Sequence, residues 1–292
     1  MSITKKLEGL GVAIVTPFLE DSSVDYKGLS NLIEHLISGG CDFLVVLGTT
    51  GEAPTIPDDE RYAIMDFVKE KNQGRLPIVA GFGGNDTAHV LKAMREYDMT
   101  GIDAILSVAP YYNKPTQEGL YQHFKAIAEA CPVPVVLYNV PGRSSCNILP
   151  EITLRLSKEV ENIVAIKEAS GSFSQFMNII SKKDKDFLFL SGDDNLTLPV
   201  ISIGGRGVVS VLGNSHPKEM KALLTAAMEG DFETARRIHY KLLPLMQLIF
   251  KEGNPAGIKA ILKIMGICGD TVRLPLANVG EATYGETVEA LR

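Results

Sequence analysis

Lysine and arginine never run beyond two in a row in this 292-residue chain, and its formal net charge is −6. Nucleic acid and anionic membranes are therefore not expected partners. No apolar stretch approaches the roughly 18 residues that span a bilayer, and the segment from Met1 to Gly9 lacks the apolar core of a signal peptide. Cysteine is sparse: Cys41, Cys131, Cys146 and Cys268 lie far apart with no CxxC pair, which suits a reducing, cytoplasmic setting. His35, His89, His123, His216 and His239 show no ligand spacing, so no metal site is expected. Low-complexity segments and Gly/Ser-rich linkers are missing as well. What is there is 45% hydrophobic and 22% charged, with glycine and proline spread throughout, the composition of an ordinary globular chain.

Eight short apolar runs punctuate the first 230 residues: Gly11–Val15, Phe43–Leu47, Ile78–Ala80, Ala104–Val108, Val135–Tyr138, Ile163–Ile166, Phe187–Leu190 and Val208–Leu212. Most are rich in Val and Ile and do not alternate with polar residues, as in parallel strands covered on both faces. Helical patterns lie between them. Tyr26, Leu29, Leu32, Ile33, Leu36 and Ile37 make one stripe, with Asp25 as N-cap and Gly39-Gly40 as the stop. Asp59–Lys71, Thr87–Asp98, Gln117–Ala130 and Pro217–Met228 follow the same spacing, and the helix signals after strands five to seven are weaker. Eight βα units predict a (β/α)8 barrel over residues 1–230, with a doubly wound sheet as the competing architecture. Residues 231–292 predict a C-terminal appendage of three helices, Phe232–Phe250, Pro255–Met265 and Val279–Leu291.

In such a barrel the reacting groups sit where strands end at their carboxyl side. The second strand ends Gly48-Thr49-Thr50-Gly51-Glu52, the fourth Pro110-Tyr111-Tyr112-Asn113-Lys114-Pro115, and the fifth Tyr138-Asn139-Val140-Pro141-Gly142-Arg143. The sixth ends at Lys167 and the seventh at Gly192-Asp193-Asp194. A lysine at the end of a buried strand has two readings. It snorkels beside Glu168 as a solvated ion pair, or it is desolvated, gives up its proton more readily and attacks carbonyls to form a Schiff base. The other groups are equally two-sided. The glycine turn is a common βα connection or an anion cradle. Tyr111 and Tyr112 pack or carry protons, Arg143 caps a surface carboxylate or holds a substrate carboxylate in a fork, and Asp193 and Asp194 N-cap the next helix or face the rim. Glu168 points away from Lys167 by the alternation of a strand.

These motifs together closely resemble those of the dihydrodipicolinate synthase family, from about Gly9 through Arg273-Leu274-Pro275-Leu276. The wider group of pyruvate-dependent aldolases shares the glycine turn, a tyrosine and the lysine. The Tyr112 motif and Val140-Pro141-Gly142-Arg143 narrow the choice, because N-acetylneuraminate lyases and sugar-acid aldolases usually lack that arginine. The resemblance implies condensation of pyruvate with L-aspartate 4-semialdehyde, with Lys167 as the Schiff-base residue and Thr49, Tyr138 and Tyr112 as the proton relay. It implies that Thr50 holds the pyruvate carboxylate, Arg143 the semialdehyde carboxylate, and that Gly192 and Val209 line the pyruvate pocket. No cofactor is implied, since the iminium is itself the electron sink. A homotetramer built as a dimer of tight dimers is implied, with Tyr112 reaching a neighbouring subunit's site. A lyase acting on a sugar acid and a non-catalytic sensor of 2-keto acids are the alternatives.

One departure stands out. In lysine-inhibited relatives the inhibitor pocket resembles the surroundings of Asn85 and Tyr111. His89, however, stands where those relatives carry a glutamate, and Asp58 and Arg61 stand where many carry histidines. A charged hydrogen bond is worth about 1.5–3 kcal/mol, so lysine inhibition is expected to be weak or absent.

Overall fold

Parallel strands buried on both faces need cover on each side, and in this chain one side is a barrel interior and the other a layer of helices. The structure, a computed structural model, describes residues 2–292. Its strands are β1 (Gly9–Ala13), β2 (Phe43–Val46), β3 (Ile78–Gly81), β4 (Ala104–Val108), β5 (Val135–Asn139), β6 (Ile163–Glu168), β7 (Leu188–Ser191) and β8 (Gly207–Ser210). They pair in sequence order, all parallel, and β8 returns to β1 to close the barrel. Closure needs glycine: a Cβ on Gly207 would sit 2.3 Å from the Gly9 carbonyl oxygen. The expected (β/α)8 barrel is the observed one, and the doubly wound sheet is set aside.

Period-two alternation sorts each strand into two cores. Ala13, Phe43, Val45, Val79, Leu106, Tyr138 and Leu190 pack inside the barrel. Their neighbours Leu44, Val46, Ile105, Leu137, Ile166 and Phe189 pack outward against the helices. Gly11 leaves room for the Phe43 ring, which a Cβ there would strike at 2.2 Å. Helix α1 (Ile3–Lys6) leads into Leu7, which is fully buried in the interior cluster. Each fully buried aliphatic or aromatic side chain contributes about 1.5–3 kcal/mol.

The helices are α2 (Tyr26–Ser38), α3 (Asp58–Asn72), α4 (Thr87–Glu96), α5 (Gln117–Ala130), α6 (Pro141–Ser144), α7 (Pro150–Glu159), α8 (Phe173–Ile180), α9 (Thr197–Ser202), α10 (Pro217–Met228), α11 (Phe232–Lys251), α12 (Ala256–Ile264) and α13 (Glu281–Ala290). Asp25 caps α2 as the sequence predicts, accepting from Gly28 N. Three boundaries differ for identifiable reasons. Helix α4 stops at Glu96, not Asp98, because Tyr97 leaves the helix to stack on Tyr62 and donate its hydroxyl to Asp66. Strand β8 stops at Ser210 because a short turn brings Asn214 back to the Ala13 carbonyl and the Val15 N–H. Strand β6 runs two residues beyond Ile166, so Lys167 and Glu168 belong to the ladder itself.

The C-terminal helices are tied to the barrel by a buried ion pair. Lys259 on α12 and Glu52 after β2 are both fully buried and meet at 2.5 Å. Lys259 Nζ also donates to the Thr271 carbonyl and lies 4.3 Å from the Phe18 ring centroid. The Arg273 backbone N–H donates to the other carboxylate oxygen of Glu52. Losing one partner of such a pair leaves a buried charge alone and costs about 3–5 kcal/mol. Lys259→Met should accordingly lower the unfolding free energy from urea titration by that much, while a value within error of the native one would remove this pair from the stability account.

His123 on α5 offers a second test. Its Nδ1 meets the Thr87 hydroxyl of α4 at 2.8 Å, its Nε2 is buried without a partner, and burial pushes the imidazole down to about 4. The folded chain therefore keeps His123 neutral while the unfolded chain takes up a proton below its ordinary value of 6.5. Stability is lost as pH falls from about 6.5 towards 4, by about 3 kcal/mol. Urea titrations at pH 7.5 and pH 5 should show a steeper loss for the native protein than for His123→Leu. Equal losses in both would reject this assignment.

Candidate active site

Lys167, the Schiff-base residue that the motif leads one to expect, lies inside the barrel. Alternation along β6 turns it inward, and it pairs in register with Tyr138 on β5 and Leu190 on β7. It is 5% exposed, and its Nζ lies 4.1 Å from the Tyr138 ring centroid. It makes no ion pair among the described residues. The solvated pair with Glu168 is therefore not formed. Val209 on β8 joins the same interior cluster as Tyr138 and Leu190. Gly192, just past β7, donates its N–H to the Glu168 carbonyl, and a Cβ there would sit 2.6 Å from that of Ala169.

The turn after β2 is held tightly. Leu47 and Glu52, at its two ends, both adopt left-handed conformations at φ 57°, a cost of about 1–3 kcal/mol each for a non-glycine residue. Close packing accompanies that strain: Gly81 lets the Leu47 carbonyl pass where a Cβ would sit 2.1 Å away. Within the turn, Gly51 N and Glu52 N donate to Gly48 O and Thr49 O, and Thr16 donates to Gly51 O. The N–H groups of Thr49 and Thr50 have no acceptor among the described residues. The Thr50 hydroxyl is fixed by Asn254 Nδ2 at 3.0 Å. Two unengaged N–H groups in a turn this constrained can receive an anion.

A cavity of about 730 Å³ opens at the carboxyl ends of β2 to β5, with Thr49, Tyr138 and Arg143 in its wall. Arg143 sits on the single turn of α6, which Pro141 starts. It is exposed and forms no ion pair among the described residues, so it caps no neighbouring carboxylate there. Asp58, Arg61, Asn85, His89 and Tyr111 line the same cavity. Thr50, Gly192, Val209 and Lys167 lie off its lining; Lys167 reaches it through the Tyr138 ring. Tyr112 is not brought into this site by its own chain. It is 90% exposed and strained at φ 71°. No group of three or more His, Cys, Asp or Glu side chains is placed to hold a metal among the described residues.

The acidic residues at the end of β6 and just past β7 do work that the sequence did not disclose. Neither Asp193 nor Asp194 caps a helix with its side chain. Asp194 is fully buried and accepts from the Ser210 hydroxyl and from Val211 N and Leu212 N, both at 2.9 Å, which joins the ends of β7 and β8. Asp193 has no such donors. Burial pushes its carboxyl above the usual range, and the positive charges of Lys167 and Arg143 act against that rise. Glu168 is buried on the outer face of β6 and accepts from Asn139, Gln175 and Ser170. Asn254 and Lys259 support the glycine turn, through Thr50 and Glu52, from 204 and 207 positions away in sequence, and no local pattern signals that contact.

Comparison with known proteins agrees with the geometry. A family model described as the dihydrodipicolinate synthetase family matches residues 6–292. The 4-hydroxy-tetrahydrodipicolinate synthase of Flavobacterium psychrophilum is 50% identical over 273 residues, 94% of this chain and 93% of that one. Its counterpart in Bacillus subtilis is 45% identical, with 93% and 94% covered. Among solved structures, the dihydrodipicolinate synthase of Aquifex aeolicus superposes with a TM-score of 0.94 at 41% identity, covering 98% of this chain and 97% of that one. A dihydrodipicolinate synthase variant characterised as monomeric superposes at 0.96 with 39% identity, covering 99% and 97%. With so nearly complete a match in both sequence and structure, the chain belongs to the dihydrodipicolinate synthetase family.

Proposed function

We propose that the protein condenses pyruvate with L-aspartate 4-semialdehyde to give 4-hydroxy-tetrahydrodipicolinate, the committed step towards diaminopimelate and lysine. The observation that carries this reading is the buried Lys167 amine, turned into the barrel against Tyr138 with no ion-pair partner. Its nitrogen attacks the ketone of pyruvate and water leaves, forming an iminium. Loss of a methyl proton gives the enamine, whose carbon attacks the aldehyde. The substrate's own amine then displaces Lys167 and closes the six-membered ring, which frees the enzyme without a separate cofactor.

The remaining residues take roles that their placement supports. The N–H groups of Thr49 and Thr50 receive the pyruvate carboxylate, with Gly192 and Val209 shaping that pocket. Thr49 and Tyr138 move protons to and from the carbinolamine. Arg143, exposed in the cavity wall, holds the semialdehyde carboxylate as a fork. Tyr112, solvent-facing and strained in its own chain, completes the relay of a neighbouring subunit. That contact supports a homotetramer of tight dimers, although one solved relative is characterised as a monomeric variant. A cytoplasmic setting and a barrel through residue 230 with a helical extension from 231 complete the reading. No helix is long and apolar enough to cross a membrane. Arg143 and the names of the relatives favour this aldehyde over a sugar acid such as N-acetylneuraminate.

Borohydride reduction in the presence of pyruvate, followed by peptide mass analysis, tests the chemistry. The adduct should lie on Lys167 alone, and Arg143→Ala should keep the adduct while losing at least about tenfold in turnover with the semialdehyde. An adduct elsewhere, or none, would sink the mechanism. In a separate titration, L-lysine should leave activity above half at 1 mM, on the order of the loss of a charged contact at His89. Half-inhibition below that concentration would show that the Glu-to-His difference does not matter.

A further inference from the structure

The residues immediately after Tyr138 and Lys167 are Asn139 and Glu168, and they too are register partners on β5 and β6. Alternation sends the first pair into the barrel and the second pair out of it, beneath the helical layer. Asn139 is 0% and Glu168 1% exposed. Asn139 Nδ2 donates to both Glu168 oxygens, at 3.1 and 3.0 Å. Gln175 Nε2 donates to one of them at 2.8 Å and Ser170 N to the other at 2.8 Å. Every one of these contacts gives a proton to the carboxylate. The Asn139 amide is itself oriented from both ends: its Nδ2 also donates to Asn147 Oδ1 at 2.7 Å, and its Oδ1 accepts from Ile148 N at 2.9 Å.

Folding alone does not call for a carboxylate here. The neighbouring outward positions on the same strands, Leu137 and Ile166, are apolar and fully buried, and a buried charge is costly unless its bonds are all made. The ladder below it supplies a reason. The β5–β6 register shifts between Val135 and Val136, so pairing at the start of these strands does not by itself set the pairing at their ends. A polar link above the irregularity does, since a hydrogen-bonded pair in a dry layer tolerates little displacement.

We propose that Asn139 and Glu168 are a positioning pair for the imine-forming reaction, holding the Tyr138 hydroxyl and the Lys167 amine in reach of one another from the opposite face of the sheet. This rests on the reading of Lys167 as the Schiff-base residue. Neither member touches substrate; both act through the strand ends that carry the reacting groups.

The test compares Glu168→Gln with the exchange N139D/E168Q in the full-length enzyme. Turnover is expressed per active site, counted by borohydride trapping of pyruvate. Glu168→Gln sets a carboxamide against three donors, and its kcat should fall about tenfold or more with the KM for pyruvate changed less than about threefold, in keeping with a displacement of catalytic groups. The exchange restores one donor facing one acceptor at the same net charge, and should recover kcat to within about threefold of native. A residue that merely stabilised the fold would lower the thermal midpoint, leave kcat per trapped site intact and gain nothing from the exchange; that result overturns the proposal. Should neither variant fold, Asn147→Ala decides by the same criterion. It frees the Asn139 amide to turn from Glu168, and an unchanged kcat per site would overturn the pair. Failure of the native enzyme to trap pyruvate on Lys167 overturns the Schiff-base reading and the pair with it. Normal trapping by the native enzyme with undiminished kcat in the variants overturns the pair alone.

Discussion

Alternation of side chains along β5 and β6 is the constraint on which the rest of the site depends. One residue step separates a barrel interior that holds Tyr138 and Lys167 from a dry outer layer that holds Asn139 and Glu168. A slip by one position would exchange the two sets and put a carboxylate where the amine belongs. Closure of the eight-stranded ring makes such a slip expensive, because each strand is bonded on both sides and no edge remains to absorb it. The same rule explains why Leu190 and Val209, from β7 and β8, share the interior cluster with Tyr138.

The turn after β2 depends on a second constraint, supplied from far along the chain. Its two left-handed residues store strain that local bonds do not relieve. The compensation comes from α12 and the segments on either side of it: Lys259 neutralises Glu52, Arg273 donates a backbone N–H to it, and Asn254 fixes the Thr50 hydroxyl. Arg273 adds an ion pair to Glu60 at 2.5 Å and lies over the Phe18 ring that Lys259 also faces. The C-terminal helices thus act on the rim itself. They brace the turn in which the Thr49 and Thr50 N–H groups have no acceptor among the described residues.

Much of this was legible in sequence because it rests on local rules. Buried Val/Ile runs, the Asp25 cap and the glycine stop of α2 each follow from nearest-neighbour chemistry. The position of Lys167 was legible too, since counting strands placed it on the same rim as Thr49 and Arg143. What was not legible involves partners without periodic spacing. Glu168 was seen to point away from Lys167, but Asn139 and Gln175 could not be named as its company, because those bonds cross from one strand to its neighbour and to a helix. Asp194 resembles an N-cap by position, and only the fold brings Ser210 and two N–H groups to it. Lys259 reads as one more surface lysine on an amphipathic helix until Glu52 appears beside it, 207 residues earlier.

Asp193 and Asp194 then make a final distinction. They are adjacent, chemically identical and both raised by burial, yet one is saturated with donors and the other has none. Asp194 receives three hydrogen bonds, so its charge is spent on joining β7 to β8. Asp193 is answered only by the charges of Lys167 and Arg143. Two adjacent aspartates past the same strand end therefore differ in what answers their charge: hydrogen bonds across to the end of β8 for Asp194, and the cations Lys167 and Arg143 for Asp193.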